Sequence, residues 1–117
     1  MSDNVVYRLF PEPIFKYKLK NFEDLNKKLS QYIYQLRDED GEGLKKSNKG
    51  GWHSKPFKLG NEDTIQQTFV KEIQKNIFDV FQKYGWKTKN VPITIQEMWA
   101  IINKNQDFNV LHSHPNC

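Results

Sequence analysis

A chain of 117 residues with 37% hydrophobic and 14% aromatic content has room for one small domain and enough apolar side chains to give it a core. The net charge of +4 is carried by 18 Lys and Arg against 14 Asp and Glu, and it is scattered, with Arg8 and Arg37 the arginines. That argues against the clustered basic stripe of a nucleic-acid protein, and no apolar run approaches the roughly 18–20 residues of a membrane span.

The opening Met1-Ser2-Asp3-Asn4-Val5-Val6-Tyr7-Arg8 has no basic region leading into an apolar stretch, so no signal peptide is expected. Cys117 is the lone cysteine and allows no intrachain disulfide, which suits a reducing compartment. A cytoplasmic location and no membrane partner are expected.

Val5 to Phe10 is rich in β-formers and closed by Pro11 and Pro13, and Ile14 to Leu19 alternates polar and apolar; two short strands are expected. Asn21 then stands as an N-cap before Phe22, Leu25, Leu29, Tyr32, Ile33 and Leu36 at helical spacing, a helix expected to end near Arg37. Residues 41–60 hold five lysines, Pro56 and five glycines and read as a long loop carrying Trp52 and His53 on a flexible frame. Loops of this length in compact domains are often functional. Asn61 or Asp63 is expected to cap a second helix, with Ile65, Phe69, Ile73, Ile77, Val80, Phe81 and Tyr84 as its apolar stripe and Gly85 as its stop.

From Val91 the period changes to two, and both faces of 91–103 are mostly apolar, as in a strand covered on each side. Asn103 to Asp107 is turn chemistry, and Phe108 to His114 reads as the return strand. Its even face holds Phe108, Val110, His112 and His114. Imidazole is the commonest side-chain metal ligand, and strand parity puts His112 and His114 on one side, so the two are candidate metal ligands. Taken alone, His53 reads as a surface loop residue and Trp52 and Trp99 as packing residues.

Three features now stand in order. They are Gly50-Gly51-Trp52-His53-Ser54, then Trp99 on a strand, then Phe108-Asn109 followed by His112-Ser113-His114-Pro115-Asn116, with an opening Leu9-Phe10-Pro11-Glu12-Pro13-Ile14. The series resembles the 2-oxoglutarate–Fe(II) oxygenases of bacteria and phages, distant relatives of the prolyl-4-hydroxylase catalytic domain, over most of the chain. The resemblance implies an α+β fold: the N-terminal part of a double-stranded β-helix (jelly roll) with two supporting helices, residues 1–117 forming a single incomplete oxygenase-like domain. It implies Fe(II), 2-oxoglutarate as cosubstrate and O₂, with hydroxylation of a substrate C–H bond. It places His112 as the first metal ligand, Trp99 beside the cosubstrate, and Trp52 and Ser54 in substrate binding. It also implies cytoplasm, the host's if the chain is phage-encoded. His114 stands where most relatives carry a carboxylate: either it ligates in a different kind of site, or it sits beside the metal and another group completes the shell. With the distal histidine and the carboxylate-binding basic residue of that family not in view, the chain alone is expected to be inactive, and self-association through an exposed sheet edge is expected.

Two other readings stay open. His112, His114 and Cys117, in the spacing H-x-H-x₂-C and with or without His53, present atoms that Zn²⁺ accepts, which would make a small zinc-binding or interaction module. The loop Lys45, Lys46, Lys49, Trp52, Lys55, Phe57 and Lys58 combines charge with stacking aromatics, a pattern more often merely solvated.

Overall fold

The computed structural model describes residues 4–87 and 89–115. Helix α1 runs Phe22–Glu39, two residues beyond the expected stop, with Glu23 and Asp24 in its first turn and Arg37 in its last, signs that complement the helix dipole. Asn21 precedes it in the left-handed region (φ 50°) and makes no side-chain cap; its carbonyl accepts from Leu25 N at 2.9 Å instead.

Strand β1 is Asn48–Lys49 and strand β2 is Trp52–His53, so the supposed loop 41–60 contains the main pairing element of the protein. Helix α2 spans Ile65–Lys83 and is capped by Thr64, whose hydroxyl accepts from Gln67 N, and not by Asn61 or Asp63. Asn61 builds the preceding turn, its side chain taking Asp63 N and its carbonyl Thr64 N. Gly85 (φ 72°) ends the helix as expected, with Trp86 N returning to Phe81 O at 3.1 Å. No helix among the described residues is long and apolar enough to cross a membrane.

Strands β3, Ile101–Ile102, and β4, Phe108–Asn109, do not pair with each other. β4 is antiparallel to β1 and β3 to β2, with Lys49 opposite Phe108 and Trp52 opposite Ile102. Flanking bonds lengthen this ladder: Val110 N to Ser47 O at 2.8 Å, Ser54 N to Ala100 O at 2.9 Å and Phe57 N to Met98 O at 2.8 Å. In effect residues 47–57 run against 98–110. The interruption is uneven, since Gly50-Gly51 faces the five-residue excursion 103–107. Both glycines have positive φ, and a Cβ on Gly50 would collide with the Asp107 carboxylate, one on Gly51 with the Asn103 side chain. Glycine is required there for both reasons.

The strand reading of 91–103 holds only toward its end. Val91 is 56% exposed, and no ladder bond precedes Met98 among the described residues. Likewise 108–114 is a strand only at Phe108–Asn109. Alternation over 97–102 is nevertheless real. Ala100, Met98 and Ile102 face the core with Trp52 and Phe57, against Tyr32, Ile33 and Leu36 of α1. Trp99 and Ile101 face the other way and are each 39% exposed. Helix α2 lies against α1 and is tied to the chain on either side of it by Gln66 Nε2 to Lys58 O and Gln74 Nε2 to Ile93 O. α1 supplies the helical side of that core.

The two N-terminal strands are absent from residues 4–20, where Val6, Phe10 and Ile14 are largely exposed. An alternating pattern alone gives no strand when no partner backbone lies alongside to take its hydrogen bonds. The arm is fastened to the C-terminal end of α2. Tyr17 donates its hydroxyl to Asp79, which also meets Lys83 at 2.8 Å, and Phe15 packs on Tyr84. The Lys83 hydrogen bond, then that of Tyr17, holds the Asp79 carboxyl below its usual range. The Asp79 bond holds the Tyr17 phenol above its own. The lowered carboxyl makes its contribution above the ordinary carboxylate range and loses it as pH falls through the folded value; the raised phenol loses its contribution as pH rises through its folded value. The arm is therefore expected to be docked near neutrality and released at both extremes. Tryptic cleavage after Lys16, Lys18 and Lys20 at neutral pH should accelerate in Tyr17→Phe, and amide shifts of 14–17 should titrate in acid; shifts unchanged down to strong acid would refute the fastening. The chain as a whole exposes 10252 Å², against about 6,700 Å² for a compact monomer of its mass.

Candidate metal centre

The last described turn brings His112 and His114 together. His112 Nδ1 lies 2.7 Å from the Val110 carbonyl. A carbonyl only accepts, so this nitrogen carries the proton and leaves the lone pair on Nε2. That Nε2 is 3.0 Å from Nε2 of His114. Residues 112–114 are not in a strand; a local contact to residue 110, and not sheet parity, aims the rings at each other.

The spacing is what one ion would ask of two ligands. Two nitrogens about 2.1 Å from a metal and at right angles stand about 3.0 Å apart, whereas a tetrahedral angle needs about 3.4 Å. The pair thus stands at a spacing that one ion could bridge. Without an ion, the same distance is a hydrogen bond in which His114 donates to His112; ligation requires His114 to carry its proton on Nδ1. Among the described residues no group of three His, Cys, Asp or Glu is placed to hold an ion, and Cys117, the third atom of the zinc reading, lies outside the described residues.

Both imidazoles line a cavity of about 740 Å³ whose walls include His53, Trp99, Glu97 and Ile101, a volume within the range of small-ligand sites. Trp99 stacks on His53, with ring centres 5.6 Å apart and planes 16° from parallel. Trp99 therefore stands in the same cavity as the two metal-ligand candidates. His53, expected on a flexible surface loop, is 7% exposed. Burial follows from its place in β2, where its backbone also takes Leu44 N at 2.8 Å. The local clue is that Trp52 and His53 follow directly on Gly50-Gly51: bulky side chains beside a pair of glycines are compatible with a strand interrupted by a bulge.

Trp52 and Ser54 are placed elsewhere. Trp52 is in the core, its indole N–H donating to Asp40 O at 2.7 Å. Ser54 is 1% exposed, and its hydroxyl accepts from Ala100 N and donates to Lys55 O. Both border a smaller cleft of about 340 Å³ against α1, not the histidine cavity.

No protein-family model, curated protein or solved structure matches this chain.

Proposed function

We propose that His112 and His114 supply two nitrogens of an Fe(II) centre in a 2-oxoglutarate-dependent dioxygenase of the double-stranded β-helix fold, just past the end of the antiparallel ladder. The observation that carries the reading is the 3.0 Å separation of the two Nε2 atoms at the wall of a ligand-sized cavity. The bound group would supply oxidation chemistry in which 2-oxoglutarate and O₂ become succinate and CO₂ while a substrate C–H becomes C–OH. This chain's part is physical. The Val110 carbonyl fixes the His112 tautomer, as outer-shell partners of metal-bound histidines do. Trp99 and Ile101 give the cavity an apolar wall, against which an organic acid's carbon chain could lie and displace water. Excluding water strengthens each polar contact made inside.

The test is anaerobic titration with Fe(II), Co(II) and Zn(II), with and without 2-oxoglutarate. Fe(II) or Co(II) should bind, with 2-oxoglutarate tightening the complex and producing a visible charge-transfer band with iron. Tight Zn(II) binding that depends on Cys117 and is indifferent to 2-oxoglutarate would replace this reading with the zinc module.

A further inference from the structure

A second polar group faces the same cavity, and the metal reading makes no use of it. His53 is more than nine-tenths buried, a costly place for an imidazole unless its nitrogens are used. One of them is: Nδ1 lies 2.7 Å from the Ser54 carbonyl, so this nitrogen carries the proton. The other, Nε2, makes no hydrogen bond among the described residues, and no buried side-chain nitrogen or oxygen among them is sealed off without a partner. The free nitrogen therefore reaches the cavity that His53 lines. The ring cannot easily turn away, being held flat on Trp99 and fixed in β2 opposite Ile101.

The geometry points to His53 as the positioning residue for the organic ligand of this cavity, accepting at Nε2 a hydrogen bond from an N–H or O–H that the ligand carries. A protonated Nδ1 leaves Nε2 as a lone pair in the uncharged ring. Such an atom attracts an amide or a hydroxyl, and repels an ester or a carboxylate, which can only accept. The Trp99 and Ile101 wall favours a flat or aliphatic body behind that donor. The ligand class at His53 is thus an amide or alcohol with an apolar body, distinct from the organic acid that the metal reading would seat at His112 and His114. This goes beyond the metal reading and can fail separately from it.

The probes are benzamide, methyl benzoate and benzoate, three flat bodies of similar size, presented to the whole chain in EDTA. Benzamide donates an N–H; the ester donates nothing; benzoate controls for attraction to Lys46, which also lines the cavity. Long-range proton–nitrogen spectra of the imidazoles should show His53 with its proton on Nδ1, and benzamide should move the Nε2 resonance. Benzamide should bind about fivefold more tightly than methyl benzoate, roughly one neutral hydrogen bond. His53→Phe, which keeps a ring against Trp99, should abolish that preference while leaving Co(II) affinity unchanged. A proton found on Nε2, equal binding of benzamide and ester by the unaltered chain, or a preference that survives His53→Phe would each overturn the assignment.

Discussion

Replacing His112 or His114 by alanine is expected to weaken Fe(II) and Co(II) binding by about 100-fold or more. Loss of a mere outer-shell partner already costs about 10–100-fold, and each of these residues supplies one of two converging nitrogens. The two single variants should be nearly as damaging as the double one, because one imidazole left alone has no chelate partner. His112 carries the sharper expectation. Its tautomer is set by the Val110 carbonyl, so His112→Asn, which retains a polar atom but not the ring nitrogen at that reach, should fail to rescue binding. Calorimetric titration of the singles and the double decides it. An affinity unchanged in both singles would remove the metal centre altogether.

The second large effect concerns the core. Trp52 is 6% exposed and packs with Phe57, Ala100 and the inner face of α1. Its N–H also satisfies the Asp40 carbonyl at the end of α1, one of the helix-end acceptors that otherwise want water. Trp52→Ala should cost about 3–5 kcal/mol, a large part of the roughly 5–15 kcal/mol that holds a typical domain together. Loss of the cooperative transition in thermal or denaturant unfolding is expected. Trp52→Phe keeps most of the packing and drops the hydrogen bond, so it should fall between. If Trp52→Ala melted within a degree or two of the parent, the helix–ladder core described here would be wrong.

Both helices were legible in the sequence because their stripes repeat locally: Leu25, Leu29, Tyr32 and Leu36 in one, Ile65, Phe69, Ile73 and Ile77 in the other. The ladder was not, because its pairs lie some fifty residues apart, as with Trp52 and Ile102. Local pattern does not say which distant backbone a segment will meet. For the same reason the alternation at 14–19 promised a strand for which no neighbour exists among the described residues. The glycines misled most. Gly50 and Gly51 looked like slack in a loop, and they are instead the one place where the excursion 103–107 presses so close that no side chain fits. At the site, sequence parity put His112 and His114 together, but a local contact to Val110 does the aiming. His53 was missed because a buried ring on a strand and an exposed one on a loop look alike until the strand's partner is known.

The large exposed surface has a thermodynamic consequence. An unfolded chain of 14.0 kDa presents about 20,000 Å², so folding removes only about half of it, where a compact protein of the same mass would hide about two thirds. Both the denaturant slope and the heat-capacity change of unfolding scale with the area newly wetted. For this chain each should be about three quarters of the value normal for its length. A flatter stability curve follows, with a broader urea transition and weaker cold destabilisation than a compact domain of equal midpoint would show. Any ligand or partner that covers Trp99 and Ile101, each 39% exposed, would steepen that transition as well as shift it.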